Sequence, residues 1–104
     1  MRQYYVYIMT NGVMTNGVRA LFVGMTNDLM LQIHQHKEKL VAGYTRKNGC
    51  TMLVYYEATN DIVAAMSRER QLKRWSNRQK IALVESSNPQ WSDLSVDWYE
   101  AKTS

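Results

Sequence analysis

Tyr4-Tyr5-Val6-Tyr7-Ile8-Met9 and Arg19-Ala20-Leu21-Phe22-Val23-Gly24 decide the fold. Both are rich in aromatic and β-branched residues, the composition of a strand. Between them, Met9-Thr10-Asn11-Gly12-Val13 is followed by an identical copy, Met14-Thr15-Asn16-Gly17-Val18. Each copy carries Asn-Gly, a strong turn signal. The two strands are therefore expected to form a hairpin with a long, mobile loop at its tip, the second copy being a tolerated insertion.

Downstream, Asn27 and Asp28 precede Leu29, Ile33, His36 and Leu40 at helical spacing. This predicts a helix capped at Asn27 and running to about Lys39 or Leu40. Val41 to Cys50 reads as loop, and Thr51 to Glu57 as a third strand. Asn60 or Asp61 opens a second helix, with Ile62, Ala65, Met66, Glu69 and Leu72 on its inward face. Ser76 and Gln79 have the spacing of a capping box and start a third helix through about Val84. Asn88-Pro89 ends it, and Trp91, Leu94 and Trp98 are expected to anchor the rest. The order is ββαβαα. The predicted fold class is α+β, a small three-stranded antiparallel sheet covered by helices. One domain spans 1–95, with a C-terminal tail over 96–104.

The 104 residues have room for one modest core, and a hydrophobic content of 45% suits a folded chain. Cys50 is the sole cysteine, so no intrachain disulfide forms, and a reducing, cytoplasmic setting is expected. The amino terminus reads as a strand rather than a secretion signal, and no apolar run approaches membrane length. The net charge of +4 is unevenly placed. Ten of the thirteen basic residues lie from Lys37 to Lys80, against four acids; after Ile81, four acids face Lys102 alone. A basic middle suggests a polyanion partner, nucleic acid in particular.

Tyr5-Val6-Tyr7, Phe22-Val23-Gly24, Thr26-Asn27-Asp28-Leu29, Arg68-Glu69 with Gln71 and Lys73, and Asn88-Pro89-Gln90-Trp91-Ser92-Asp93-Leu94 follow one another in a telling order. The order resembles the GIY-YIG nuclease superfamily, and in particular its small stand-alone bacterial members. The resemblance covers roughly Tyr4 to Ser95. It implies the GIY-YIG fold, DNA as partner, no membrane, and one divalent ion, Mg²⁺ or Mn²⁺, held by Glu69. It also implies a catalytic set at Tyr7, Phe22, Gln32, His36 and Glu69.

Two of those positions depart from the family pattern. Phe22 stands where the family has its second tyrosine, and Gln32 where it has an arginine. A phenyl ring cannot accept a proton, and losing a general base typically costs ~10²–10⁴ in rate. Gln32 can donate to a phosphate but carries no charge to offset a developing anion. A degenerate nuclease that still binds DNA, a pseudoenzyme, is the expectation. Two rivals stay open: an active metal-dependent endonuclease with Tyr7 or His36 as base, and a protein-interaction domain that kept only the fold.

The basic residues Arg46, Lys47, Arg70, Lys73, Arg74 and Arg78 are the candidate phosphate contacts. Trp75 among them could stack on a base or anchor two helices. Other chemistry-bearing patterns, such as a phosphate-cradling glycine loop or a Cys/His metal cluster, are absent from the sequence.

Overall fold

The structure, a computed structural model, describes residues 2–15, 18–40 and 43–99, with backbone alone over 13–15 and at 18. Three strands, β1 (Tyr4–Thr15), β2 (Val18–Thr26) and β3 (Met52–Thr59), form one antiparallel sheet in the order β2-β1-β3. Four helices accompany them: α1 (Leu29–Lys37), α2 (Tyr44–Asn48), α3 (Ile62–Arg74) and α4 (Asn77–Ser87). The order is thus ββααβαα. No helix of the described residues is long and apolar enough to cross a membrane.

Alternation along β1 splits the core into two layers, because successive side chains point to opposite faces. Val6 and Ile8 join Leu21, Val23 and Val54 beneath α3 and α4, where Ala65, Leu72 and Val84 meet them. Tyr7 and Met9 face the other way, onto Leu29 and Ile33 of α1, with Cys50 and Leu53. Trp98 and Tyr99 pack against this second layer. The chain past 95 therefore contributes side chains to the core as far as Tyr99, and 100–104 lie outside the described residues.

The hairpin is longer than expected. β1 runs through the whole first copy of the repeat and into the second. The ladder passes an irregularity between Thr10 and Met14 and resumes with Met14 opposite Arg19 and Thr15 opposite Val18. Gly12 absorbs the offset at φ 75, a backbone state that glycine adopts without a steric penalty. The first Asn-Gly thus sits at an irregularity within the strand rather than at the hairpin turn. Asn16 and Gly17, the second turn signal, lie outside the described residues.

Helix boundaries are set by side-chain caps. Asp28, not Asn27, caps α1 by accepting from the Leu31 N–H at 3.2 Å. Lys39 adopts φ 57 just past the helix end, and Leu40 falls off the apolar stripe, 69% exposed. Asp61 caps α3 through the Val63 N–H at 2.9 Å. Ser76 and Gln79 make the expected reciprocal capping box, and α4 extends to Ser87. The Val41–Cys50 segment, expected to be loop, contains α2, closed by Gly49 in the left-handed conformation. On α3, Ala65 and Leu72 are buried as expected, but Ile62 and Met66 are exposed. The buried stripe is narrower than the sequence pattern implied.

A polar latch ties the carboxyl-terminal segment to the sheet. Asp93 accepts from Lys37 Nζ at 2.6 Å, from the Leu53 N–H at 3.2 Å and from Ser95 Oγ at 2.7 Å. Burial pushes the Asp93 carboxyl up, but these donors outweigh it and hold it below the usual range. Trp91 is buried and donates to Glu85, whereas Leu94 is largely exposed.

Candidate active site

Tyr7 is the hub. In the β1–β2 register it lies opposite Gly24, and its ring passes directly over that glycine. A Cβ at Gly24 would stand 2.5 Å from the Tyr7 hydroxyl and 2.9 Å from Phe22 Cε2. The hydroxyl can cross the edge strand only because residue 24 has no side chain. Beyond it, Tyr7 Oη meets His36 Nε2 at 3.0 Å, and His36 Nδ1 meets Thr45 Oγ1 at 3.1 Å. Three elements, β1, α1 and α2, are joined by this chain of bonds.

Phe22 completes an aromatic cluster, its ring centre 6.2 Å from Tyr7 and 5.4 Å from His36. Tyr44 of α2, about half exposed, stacks on the outer side of Phe22 at 6.5 Å and 22°. In the sequence Tyr44 and Thr45 belong to a basic loop with Arg46 and Lys47, and nothing local marks them as neighbours of Phe22 and His36.

Burial governs the electrostatics. Tyr7 is 1% exposed and His36 2%. Desolvation drives the Tyr7 phenol far above its ordinary value. The Gln32 side chain, by hydrogen bonding, works against this, and the negative charge of Glu69 adds to it. Both groups therefore act on the same hydroxyl. Desolvation also lowers the His36 pKa, so its imidazole is neutral at physiological pH.

Tyr7, Phe22 and His36 are thus in contact, and Gln32 and Glu69 lie within electrostatic reach of Tyr7. Glu69 acts on Tyr7 through its charge alone, from α3, the helix that packs on the opposite sheet face. Its side chain is 25% exposed and pairs with Lys73 at 3.2 Å, an i,i+4 surface pair.

Among the described residues no three of His, Cys, Asp and Glu gather as a metal cage. One carboxylate is still a fitting donor set for hydrated Mg²⁺ or Mn²⁺, which keeps several waters and takes its other ligands from substrate phosphates. Such an ion would draw the Glu69 carboxylate away from Lys73.

Arg46, Lys47, Arg70, Lys73, Arg74 and Arg78 are all exposed. Arg68 instead turns inward to Glu57, at 2.9 Å, and stands 5.4 Å over the Trp75 ring. Trp75 is half-buried against the core between α3 and α4, the anchor rather than a free platform. His34, off the buried stripe of α1, is exposed.

The sequence model of the GIY-YIG catalytic domain matches residues 3–82. A UPF0213 protein of Clostridium perfringens is 36% identical over 69 residues, 66% of this chain and 74% of that protein. One from Staphylococcus haemolyticus is 32% identical over 85 residues, 82% of this chain and 98% of its own. In three dimensions the chain is similar to the solution NMR structure of a UPF0213 protein from Bacillus halodurans. The TM-score is 0.52 at 28% identity, covering 91% of this chain and 97% of that one.

Proposed function

The chain belongs to the GIY-YIG family, and from that premise we propose that it is a nuclease-like domain that binds DNA and whose phosphodiester hydrolysis is weakened or lost. GIY-YIG nucleases generally use a divalent metal, and the family implies a nucleic-acid substrate. The observation that carries the reading is the state of the Tyr7–His36 pair beside Phe22. Phe22 puts a hydrocarbon edge where a phenol would stand. Of the two phenols in the cluster, Tyr7 is buried and hydrogen-bonded to His36, and Tyr44 stacks on Phe22 from the solvent side.

An ordinary tyrosine is ionised to about one part in 10³ at pH 7, and Tyr7 less than that. Transfer of its proton to His36 would create two buried charges from two neutral groups. Desolvation opposes both charges at once. Gln32 contributes a hydrogen bond without the positive charge that a phosphorane needs. Glu69 would hold Mg²⁺ or Mn²⁺, which when bound would offset charge on the leaving oxygen. The exposed basic residues of α2, α3 and α4 supply phosphate contacts that need no chemistry.

The rival reading, an active endonuclease, draws on one specific contact. The Tyr7–His36 bond at 3.0 Å has the geometry of a base pair in waiting. It requires substrate to open the buried cluster and resolvate it.

DNA binding is tested by titrating the protein with a short duplex and a single strand at several salt concentrations. Binding should weaken steeply with salt, with a slope of about −0.7 to −0.9 per phosphate neutralised. Arg74→Ala and Arg78→Ala should each flatten that slope by about one contact. Absent or salt-indifferent binding would refute the reading and favour a protein-interaction role.

A further inference from the structure

On the β3 side of α1 lies a cleft of about 430 Å³, lined by Tyr5, Asn27, Asp28, Leu29, Met30, Tyr56 and Trp98. None of the residues around Tyr7 discussed above contributes to it except through α1 itself. We propose that this cleft binds a small organic cation, a quaternary ammonium headgroup, between the faces of Tyr5, Tyr56 and Trp98 with the Asp28 carboxylate at its rim.

Three observations point to that ligand class. The first is charge. The chain carries a net +4, yet the lining of this cleft contains one acid and no base. Asp28 is also the cap of α1, so its carboxylate offsets the positive helix end that would otherwise favour an anion there. Desolvation, with smaller contributions from Asp28 and from Asp93, itself paired with Lys37, pushes the neighbouring Tyr99 phenol up to about 12.

The second is ring geometry. Tyr5 and Tyr56 are inclined at 65° with centres 6.4 Å apart, and Tyr56 and Trp98 at 73° and 5.9 Å. Walls at steep angles enclose a compact, rounded group. A flat nucleobase needs parallel faces, which these three rings do not offer. Aromatic faces attract cations through the ring quadrupole, and methylated ammonium groups are the ligands such cages take.

The third is rigidity. Trp98 is held by its backbone N–H to Ser95 at 3.1 Å, and Tyr99 next to it donates to the Met30 carbonyl at 2.7 Å. Tyr56 is 41% exposed, so a ring face remains open without rearrangement. A pre-set wall loses little entropy on binding.

The test uses the whole chain and three probes followed by the indole N–H resonance of Trp98, assigned with Trp98→Phe. The probes are choline, its neutral carbon analogue with a tert-butyl group in place of the trimethylammonium, and adenosine. Choline should give a saturable shift with a Kd on the order of a millimolar. The neutral analogue should bind about tenfold or more weakly, as expected when the cation–π attraction is removed.

Asp28→Asn keeps a good helix cap while removing the charge, and should weaken choline about fivefold, the effect of one unit charge at ~4 Å near water. Tyr56→Leu should weaken it similarly, with the rest of the spectrum unchanged. Equal binding of choline and its neutral analogue, tighter binding of adenosine, or no saturable shift would each overturn the assignment. So would an Asp28→Asn variant that binds choline as well as the parent. The outcome is independent of DNA binding or cleavage.

Discussion

At the scale of residues, burial fixes the protonation of the cluster before any substrate arrives. His36 is held neutral by desolvation, so its folded pKa lies below the unfolded value of about 6.5. The unfolded chain then binds more protons than the folded one as pH falls through that window. Stability from this group is full above pH ~6.5 and declines as pH drops below it. Asp93, also depressed, adds a second loss as pH falls through the carboxylate range. Thermal unfolding measured from pH 8 to pH 4 should show Tm falling with acid, with His36→Gln flattening the upper part of the curve. A Tm rising toward pH 5 would contradict the buried, neutral imidazole.

Gly24 is a second sharp test at this scale. An added methyl would collide with the tip of the Tyr7 ring at 2.5 Å. Gly24→Ala should cost about 1–3 kcal/mol, the usual penalty of overpacking a filled site, and should shift the Tyr7 and His36 resonances together. A neutral effect in chemical denaturation would mean that the ring moves aside freely.

Tyr7, Phe22, Gln32, His36 and Glu69 became candidates through the resemblance of their motifs to the family; the contact of Tyr7, Phe22 and His36 is visible only in the fold. What could not be read was that Tyr7 needs Gly24 to cross the edge strand. Nor could Thr45 be seen as the second partner of His36. Both depend on cross-element contacts that no local pattern encodes.

At the scale of elements, capping chemistry decided what the sequence disclosed. Asp61 and Ser76 were visible as helix starts because their side chains, at fixed spacing, satisfy orphan N–H groups. Ser76→Ala should destabilise the fold by about 1 kcal/mol, the typical value of a lost cap, measured by urea unfolding. Ser76→Asp should retain most of the stability, since aspartate caps equally well.

The same local reading failed at α2 and at the repeat. Five residues are too few for a 3.6-residue period to appear, so α2 read as loop. Asn11-Gly12 reads as a turn from its residue types, yet the pairing that resumes at Met14 and Thr15 leaves it as an irregularity within the strand. Strand pairing overrode the local signal, as tertiary context often does.

At the scale of the whole molecule, one sheet carries two unlike faces. Beneath α3 and α4 lies a conventional apolar core. On the α1 side, an acid-rimmed aromatic cleft lies at the amino end of one helix, and a buried phenol and imidazole lie toward its carboxyl end. The family pattern survives as architecture, while on the proposed reading Phe22 and Gln32 supply neither the base nor the cation.

The measurement that bears most directly on this account is cleavage of plasmid DNA, with and without Mg²⁺ or Mn²⁺. It compares the parent chain, Phe22→Tyr with Gln32→Arg, and that double variant carrying Glu69→Ala. The parent should show little or no cleavage. The double variant should gain metal-dependent cleavage, because a phenol and a bidentate phosphate donor return together. Neither single change should suffice, since base and cation act on one transition state. Glu69→Ala should then abolish the gain. Robust metal-dependent cleavage by the parent, lost in Glu69→Ala, would contradict the degenerate site and establish an active enzyme instead.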